Sequence, residues 1–544
     1  MSERRDIEAR MDRITLDVIG SALLSIAEEM GEVLIKSSYS SNIKERQDCS
    51  TAVFNLAGEV VAQAEHIPMH LGSLIMIVQE ILKRYPIETL RDGDVFIGND
   101  PYTGGSTHLP DITVASPVFH DGVPVGFVAN IAHHADGSGR ETRSIWDEGL
   151  RIPPIRIVEA GRLREDVMEL LLLNFRLPRE RRGDFRAQFA ANRIGAERLT
   201  ELLRRYGRDT CLAAMQELLA YGERKIRAAL AAVPDGVYAF EDFMDDDGAG
   251  GPPVPIRVRI EVKGGEIALD FGGTGDQVPG DINVVYLALV ATVYYALKAL
   301  LDPTIPANGG FYRAIRVTAP ERSIVNAHPP APVAWRTQTC QRIADVVFGA
   351  LAPALPARVI GATNGANSAW VFSGTDPRTG QYYVYLETIG GGSGARATKD
   401  GLDGVQVHIT NTSNLPVECL EMEYPLLVED YALVPGSGGD GAHRGGLGLR
   451  RTIRVLRGAS TFLGTLDRGR FPPWGLFGGA AGGTGSLVLN TTTPLGSKIA
   501  GRQLCEGDAV TIVTPGAGGY GPPAQREPAL MERDRREGKV SPGR

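Results

Sequence analysis

The chain has 544 residues, 43% of them hydrophobic and 22% charged, with a formal net charge of -8. It has no basic block interleaved with aromatics, which speaks against a nucleic-acid partner, and no run near the roughly 20 apolar residues that a membrane span needs. The first residues lack a signal peptide's apolar core, and Cys49, Cys211, Cys340, Cys419 and Cys505 form no CxxC pair, so a reducing cytoplasm is the expected compartment.

At this length two or three domains are expected. Asp12 is placed to cap a first helix carrying Ile14, Val18, Ile19, Leu23, Ile26, Met30 and Val33 on one side. Two short β-type runs follow about a turn at Gly58. In HIPMHLGS, Pro68 disfavours a helix through His66 and His70, and either one is a candidate to line a pocket or to sit satisfied in the core. Next come a helix at LIMIVQEILKRY and a strand at DVFIG. Further helices are expected from Arg164 to Asn174, from a cap at Asp184 to a stop at Gly207, and from Asp209 to about Ala232. Pro234-Asp235-Gly236 is a turn and the first domain boundary. Beyond it, alternating Val254, Ile256, Val258, Ile260 and Val262 turn on Gly264-Gly265 and continue through Ile267, Leu269 and Phe271, a hairpin with one buried face. VVYLALVATVYYALKALL is a buried helix ending at Pro303, and another helix spans Arg342 to Leu355. From Arg358 to Pro522 the chain is rich in strands and glycine turns. The fold class expected is α+β, multi-domain, with mixed helices and largely antiparallel sheets: an N-terminal α+β domain (1–233), a hairpin-plus-helix middle domain (234–357), a β-rich domain (358–524) and a charged, loosely ordered tail (525–544).

The chemistry concentrates between Gly98 and Gly139. This stretch holds His108, His120, His133 and His134, with Asp100, Asp111 and Asp136. His-Leu-Pro-Asp sets an imidazole and a carboxylate three residues apart, and a hairpin-like pair of apolar runs about His120-Asp121-Gly122 returns the chain to His133. Imidazole nitrogen and carboxylate oxygen are the ligand set for Zn²⁺, Mn²⁺ or Fe²⁺. The same residues also suit a hydrogen-bonded polar turn under a hairpin. In an extended segment His134 faces away from His133, and Asp136 is placed either to orient a ligating histidine or to cap a turn. The charge run Lys44 to Asp48 is either a solvated face or a pocket edge. The glycine-rich loops lack a phosphate loop's Lys-Ser/Thr and read as turns between short strands.

Six segments together resemble the hydantoinase B/oxoprolinase family: ERQDCSTAVFNLAGEVVAQAEHIPMHLGSL, GDVFIGNDPYTGGSTHLPDITVASPVF, IAHHADGSG, EGLRIPPIRI, the long run from GGGSGARATKDG to GGLGLRR, and FGGAAGGTG. The chain is also similar to the matching subunit of acetone and acetophenone carboxylases. Cys49, where an aromatic is usual, and the loop after Asp136 depart from the pattern. The resemblance implies a divalent metal (Zn, Mn or Fe) on His108, Asp111 and His133, with Asp48 as a fourth ligand. It also implies an A-type partner subunit that binds ATP, and so a hetero-oligomer. The partner would phosphorylate a cyclic amide such as a hydantoin, 5-oxoproline or another lactam for hydrolysis of its C–N bond here. His134 or Asp136, by adjacency, would act as base or as a support to the ligands. A ketone carboxylase subunit and a non-catalytic scaffold for the ATPase are the alternatives.

Overall fold

The computed structural model describes residues 12–64, 67–134 and 142–540. Helix α1 (Arg13–Ser37) is capped as expected, with the Asp12 carboxylate accepting the Thr15 amide at 2.9 Å. Its buried stripe is Ile19, Leu23, Ile26, Met30 and Leu34, whereas Ile14 and Val18 are exposed. At about 100° per residue those two fall on the opposite side of the helix, so the stripe is narrower than expected.

Strands β1 (Cys49–Phe54), β2 (Val60–Gln63), β3 (Val95–Gly98), β4 (Asp111–His120), β5 (Val123–His133), β6 (Ile155–Glu159) and β7 (Arg162–Leu163) form a seven-stranded sheet in the order β2-β1-β5-β4-β3-β6-β7. All its pairs are antiparallel. Both faces are covered. Val53 and Val128 pack with α1, while Phe54 and Phe127 pack with α2 (Ile75–Arg84). Helix α3 (Glu165–Leu173) lies where the sequence places it. Helix α4 runs Pro178–Tyr206, so Asp184 does not cap it. Asp184 instead sits buried in its second turn and accepts the amides of Tyr39 and Ser40 at 2.8 and 3.1 Å. The capping chemistry is right, but it serves a segment 144 residues earlier. Gln188 and Asn192 then pin α4 to β4 by donating to the carbonyls of Ile112 and Val114 at 2.8 and 3.1 Å.

After α5 (Arg208–Ala231) come β8 (Gly236–Met244), β9 (Val254–Lys263) and β10 (Glu266–Asp270), joined by parallel β11 (Ile315–Thr318) in the order β11-β10-β9-β8. The β9–β10 hairpin buries alternate residues as its period predicts. Helices α6 (Tyr286–Leu301) and α7 (Arg336–Leu351) complete this core, which also takes in Ile67, Met69, Leu109, Ile226 and Leu230. Packing is thus continuous across Pro234. Helix α7 begins six residues before the expected Arg342. Its first turns read as polar, yet Arg336, Gln338, Gln341 and Arg342 are all buried and hydrogen-bonded.

The remaining strands are β12 (Ser368–Thr375), β13 (Tyr382–Ile389), β14 (Leu426–Leu433), β15 (Leu449–Val455), β16 (Ser460–Thr465), β17 (Ser486–Leu489), β18 (Thr493–Leu495), β19 (Lys498–Leu504) and β20 (Ala509–Val513). They form two antiparallel sheets, β13-β12-β16-β19 and β14-β15-β20-β17-β18, which share Trp370, Phe372, Ile453, Phe462 and Val510. The glycine loops do more than turn. A Cβ on Gly394 would stand 1.7 Å from the Gly361 carbonyl oxygen, and one on Gly518 1.9 Å from that of Trp474. Glycine here permits backbone to pack on backbone.

A buried ionic network joins these sheets to α7 and β8. Arg342 meets Asp467 at 2.7 Å and Asp242 at 3.2 Å; Arg468 meets Asp345 at 2.7 Å and Asp242 at 2.9 Å. The tail from residue 525, expected to be loosely ordered, forms α8 (Pro528–Arg536) and docks through Arg526–Asp400 at 2.7 Å and Lys539–Asp403 at 3.1 Å. Ion pairs, not apolar surface, hold it, so hydrophobicity gave no sign of the contact. Among the described residues no helix is long and apolar enough to cross a membrane.

Candidate metal centre

The centre is built on the β4–β5 hairpin. Its two-residue turn, Asp121-Gly122, has φ of 51° and 75°, the left-handed pair that Asp-Gly supplies and right-twisted strands favour. Counted back from this turn, a regular ladder would set Asp111 opposite Ala132. A bulge in β5 takes up Val125, with Val118 paired to Gly126 and Phe119 to Pro124, so Asp111 pairs with His133 instead. Directly opposed residues share a face, and the bulge therefore selects His133 and turns His134 away. Just before β4 the Asp111 amide donates to the His108 carbonyl at 3.2 Å, closing a turn that folds His108 over Asp111.

One ligand atom from each of His108, Asp111 and His133 lies within 4.8 Å of the others. His108 Nε2 stands 3.2 Å from Asp111 Oδ2, and the two imidazole rings are 5.0 Å apart. Asp48 is half-buried on the wall of the same cavity and lies outside this triad; its carbonyl accepts the His133 amide at 3.0 Å. Burial, then the charge of Asp111, pushes its carboxyl up to about 7. His134 also touches the cavity, but its Nε2 is 3.1 Å from Gln188 Oε1 on α4 and its ring lies 5.0 Å from that of Phe185. Burial lowers it to about 4. Asp136, like His66, lies outside the described residues.

Three further groups surround the triad: His70, one of the two histidines that were candidates to line a pocket, and Arg336 and Asn42, which the sequence left unassigned. His70 is buried with Nε2 3.9 Å from Asp111 Oδ2. The Ser50 hydroxyl donates to the Cys49 carbonyl at 2.7 Å, so its oxygen receives the proton of His70 Nδ1 at 3.0 Å, leaving Nε2 bare. Arg336, at the start of α7, donates to Asp111 Oδ2 and to Thr107 Oγ1, each at 2.7 Å. Asn42 places its amide nitrogen 2.7 Å from the His133 carbonyl oxygen and 3.1 Å from Nδ1, and Arg46 donates to its oxygen at 2.6 Å. No local motif marks these contacts. The signal the sequence did offer was the place of His70 in HIPMHLGS as a candidate to line a pocket; nothing marked Arg336 or Asn42. Outer contacts of this kind are worth about 10–100-fold in metal affinity. Asn42→Ala is expected to weaken zinc binding by about that factor without unfolding the chain, as titration with a competing chelator would read.

Whether these residues suit a cation is decided at His108. Its Nδ1 is 3.1 Å from the Ala334 carbonyl oxygen, which can only accept, so Nδ1 carries the proton. Nε2 is then a bare lone pair, buried without a hydrogen-bond partner and facing a carboxylate oxygen. Burial, then Arg336, lowers His108, and burial holds His133 well below the usual histidine value, so neither is protonated at neutral pH. Burial alone would raise Asp111, but His108 and Arg336 together hold it well below the usual carboxylate range. The bare His108 Nε2 and the Asp111 carboxylate face one another with no proton between them, and the donor set of two imidazoles and a carboxylate fits Zn, Mn or Fe. The triad opens on a cavity of about 650 Å³ whose wall includes Trp146 from the first region, Trp335 from the middle one and Thr388 and Ile409 from the last.

A family model described as Hydantoinase B/oxoprolinase matches residues 12–523. The chain is 34% identical to the caprolactamase subunit beta of Pseudomonas jessenii over 559 residues, 98% of this chain and 94% of that one. The crystal structure of the ATP-dependent caprolactamase from Pseudomonas jessenii superposes with a TM-score of 0.91 at 32% identity, covering 98% of this chain and 95% of that one. A nucleotide-free acetone carboxylase structure shares the fold, with a TM-score of 0.90 at 18% identity over 99% of this chain and 79% of that one.

Proposed function

We propose, because the chain belongs to the hydantoinase B/oxoprolinase family, that it is the metal-holding subunit of an ATP-dependent hydrolase of cyclic amides, a hydantoin, 5-oxoproline or another lactam. An A-type partner that binds ATP would phosphorylate the substrate's carbonyl oxygen. The observation that carries this reading is the bare, buried Nε2 of His108 facing Asp111 at 3.2 Å on the wall of a substrate-sized cavity.

The division of labour follows from the chemistry. Nitrogen donation makes an amide carbonyl a poor electrophile, and phosphorylating its oxygen removes much of that donation and provides a leaving group. His108, Asp111 and His133, with Asp48 beside them, are the residues that would hold a divalent ion. When bound, such an ion supplies Lewis acidity and brings water closer to ionisation at neutral pH. Arg336 and the Ala334 carbonyl fix Asp111 and His108 in place. His70 offers its bare Nε2 beside Asp111 and is the histidine placed to accept a hydrogen bond from water there; His134, engaged with Gln188, is not.

Metal uptake should depend on pH. A protonated Asp48 cannot ligate, and its carboxyl titrates at about 7 in the metal-free chain. Zinc binding should therefore weaken as pH falls through that value and release a proton below it. Calorimetry in two buffers of different ionisation enthalpy reads this directly, and equal heats at pH 6 would remove Asp48 from the ligand set.

The decisive experiment is to co-purify the A-type partner and follow ATP hydrolysis over a panel of lactams, hydantoins and ketones with bicarbonate. Stimulation by a cyclic amide with ring opening is expected. Stimulation only by a ketone and bicarbonate would move the chain to the carboxylases, whose fold it shares.

A further inference from the structure

We propose that Arg336 is the group that grips the phosphoryl oxygens of the activated substrate and so lets the site distinguish the O-phosphorylated amide from the neutral one; this rests on the two-subunit reading above. Arg336 is 2% exposed yet lines the cavity. Two of its three nitrogens are committed, Nε to Thr107 and Nη2 to Asp111. These bonds fix the plane of the guanidinium without further loss of freedom. The third, Nη1, has no acceptor among the described residues, and it is not among the polar atoms sealed from solvent without a partner, as His108 Nε2 is. The fork therefore keeps one charged arm for a ligand beside the triad.

The segment that carries it is held rigidly. The amides of Val333 and Ala334 donate to the Glu148 carboxylate, the Trp335 amide donates to the Asp281 carbonyl at 2.8 Å, and the Ala334 carbonyl takes His108 Nδ1. Arg46, the other buried arginine on this wall, is already spent on Asn42, Leu386 and Thr388. Charge favours the same ligand. Arg336 neutralises Asp111, so a divalent ion held by the triad with Asp48 beside it leaves an excess of positive charge at that end of the cavity. A neutral lactam gains little from that, whereas a phosphoryl dianion gains a charge-assisted hydrogen bond from the free Nη1 arm. Substrate that the partner has not phosphorylated is thereby discriminated against at the second site.

The test uses the metal-loaded chain, with inorganic phosphate as the probe in calorimetry and metal content measured in parallel. Arg336→Gln keeps a donor for Asp111, and Arg336→Lys keeps the charge without the fork. Phosphate affinity should fall by about tenfold or more in the variants that retain their metal, the scale of one lost hydrogen bond to a charged group. A variant with full metal and wild-type phosphate affinity overturns the proposal. So does parallel loss of metal and phosphate in both variants, which would leave Arg336 acting on Asp111 alone. A wild-type complex whose ATP hydrolysis no cyclic amide stimulates would remove the substrate reading while leaving the phosphate result standing.

Discussion

His108→Ala and Asp111→Ala should each strip the purified chain of its divalent metal, lowering affinity by more than about a hundredfold, since even the outer partners of a ligating histidine are worth about 10–100-fold. The two positions fail for different reasons. Without His108 the ion loses a nitrogen whose tautomer is set by a main-chain carbonyl. Without Asp111 it loses the negative charge, and Arg336 is left buried beside two neutral histidines, repelling any cation. Asp111→Ala is therefore the more damaging change, and restoring activity by high metal concentration should succeed for His108→Ala sooner than for Asp111→Ala. Unaltered metal content in both proteins would dispose of the centre.

Asp345→Asn should destabilise the fold by about 3–5 kcal/mol, the cost of breaking a buried pair and leaving one partner charged. Asp345 accepts Arg468 at 2.7 Å, His408 at 2.9 Å and the Thr363 amide at 3.1 Å, all out of solvent. Burial would raise its carboxyl, but His408 and Arg468 bring it below the usual value, so the ionised form is the one the fold selects. The amide keeps the shape and loses the charge, and Arg468 must then rely on Asp242 alone. Denaturant unfolding followed at several wavelengths measures the loss. A change below about 1 kcal/mol would mean that water or a shifted side chain takes over from the carboxylate.

What could be read in advance depended on how local each signal was. The β9–β10 hairpin was legible because its alternation and its glycines lie in one short stretch. His108 and Asp111 are three residues apart, and the apolar runs that bring His133 back are adjacent in sequence, so local spacing suffices. Arg336 was not legible. An arginine at a helix start reads as solvated, and its carboxylate lies 225 residues away. His70 was narrowed to one of two histidines, because nothing local distinguishes it from His66. Asp184 shows the converse: its capping chemistry was visible, but the backbone it serves belongs to another part of the chain. His134 and His133 are adjacent, and only strand geometry separates their surroundings.

The bulge at Val125 makes the length of β5 matter more than its composition. Because Val125 pairs with nothing, deleting it leaves Asp111 opposite His133 and costs only packing. Deleting Ala129 instead, with the bulge intact, would advance every later residue by one and bring His134 opposite Asp111, carrying His133 to the α4 side. The hairpin can thus lose a residue harmlessly at one place and exchange its two histidines at another four positions on. Lineages of this chain should accept length changes in β5 only at the bulge, however freely its side chains vary.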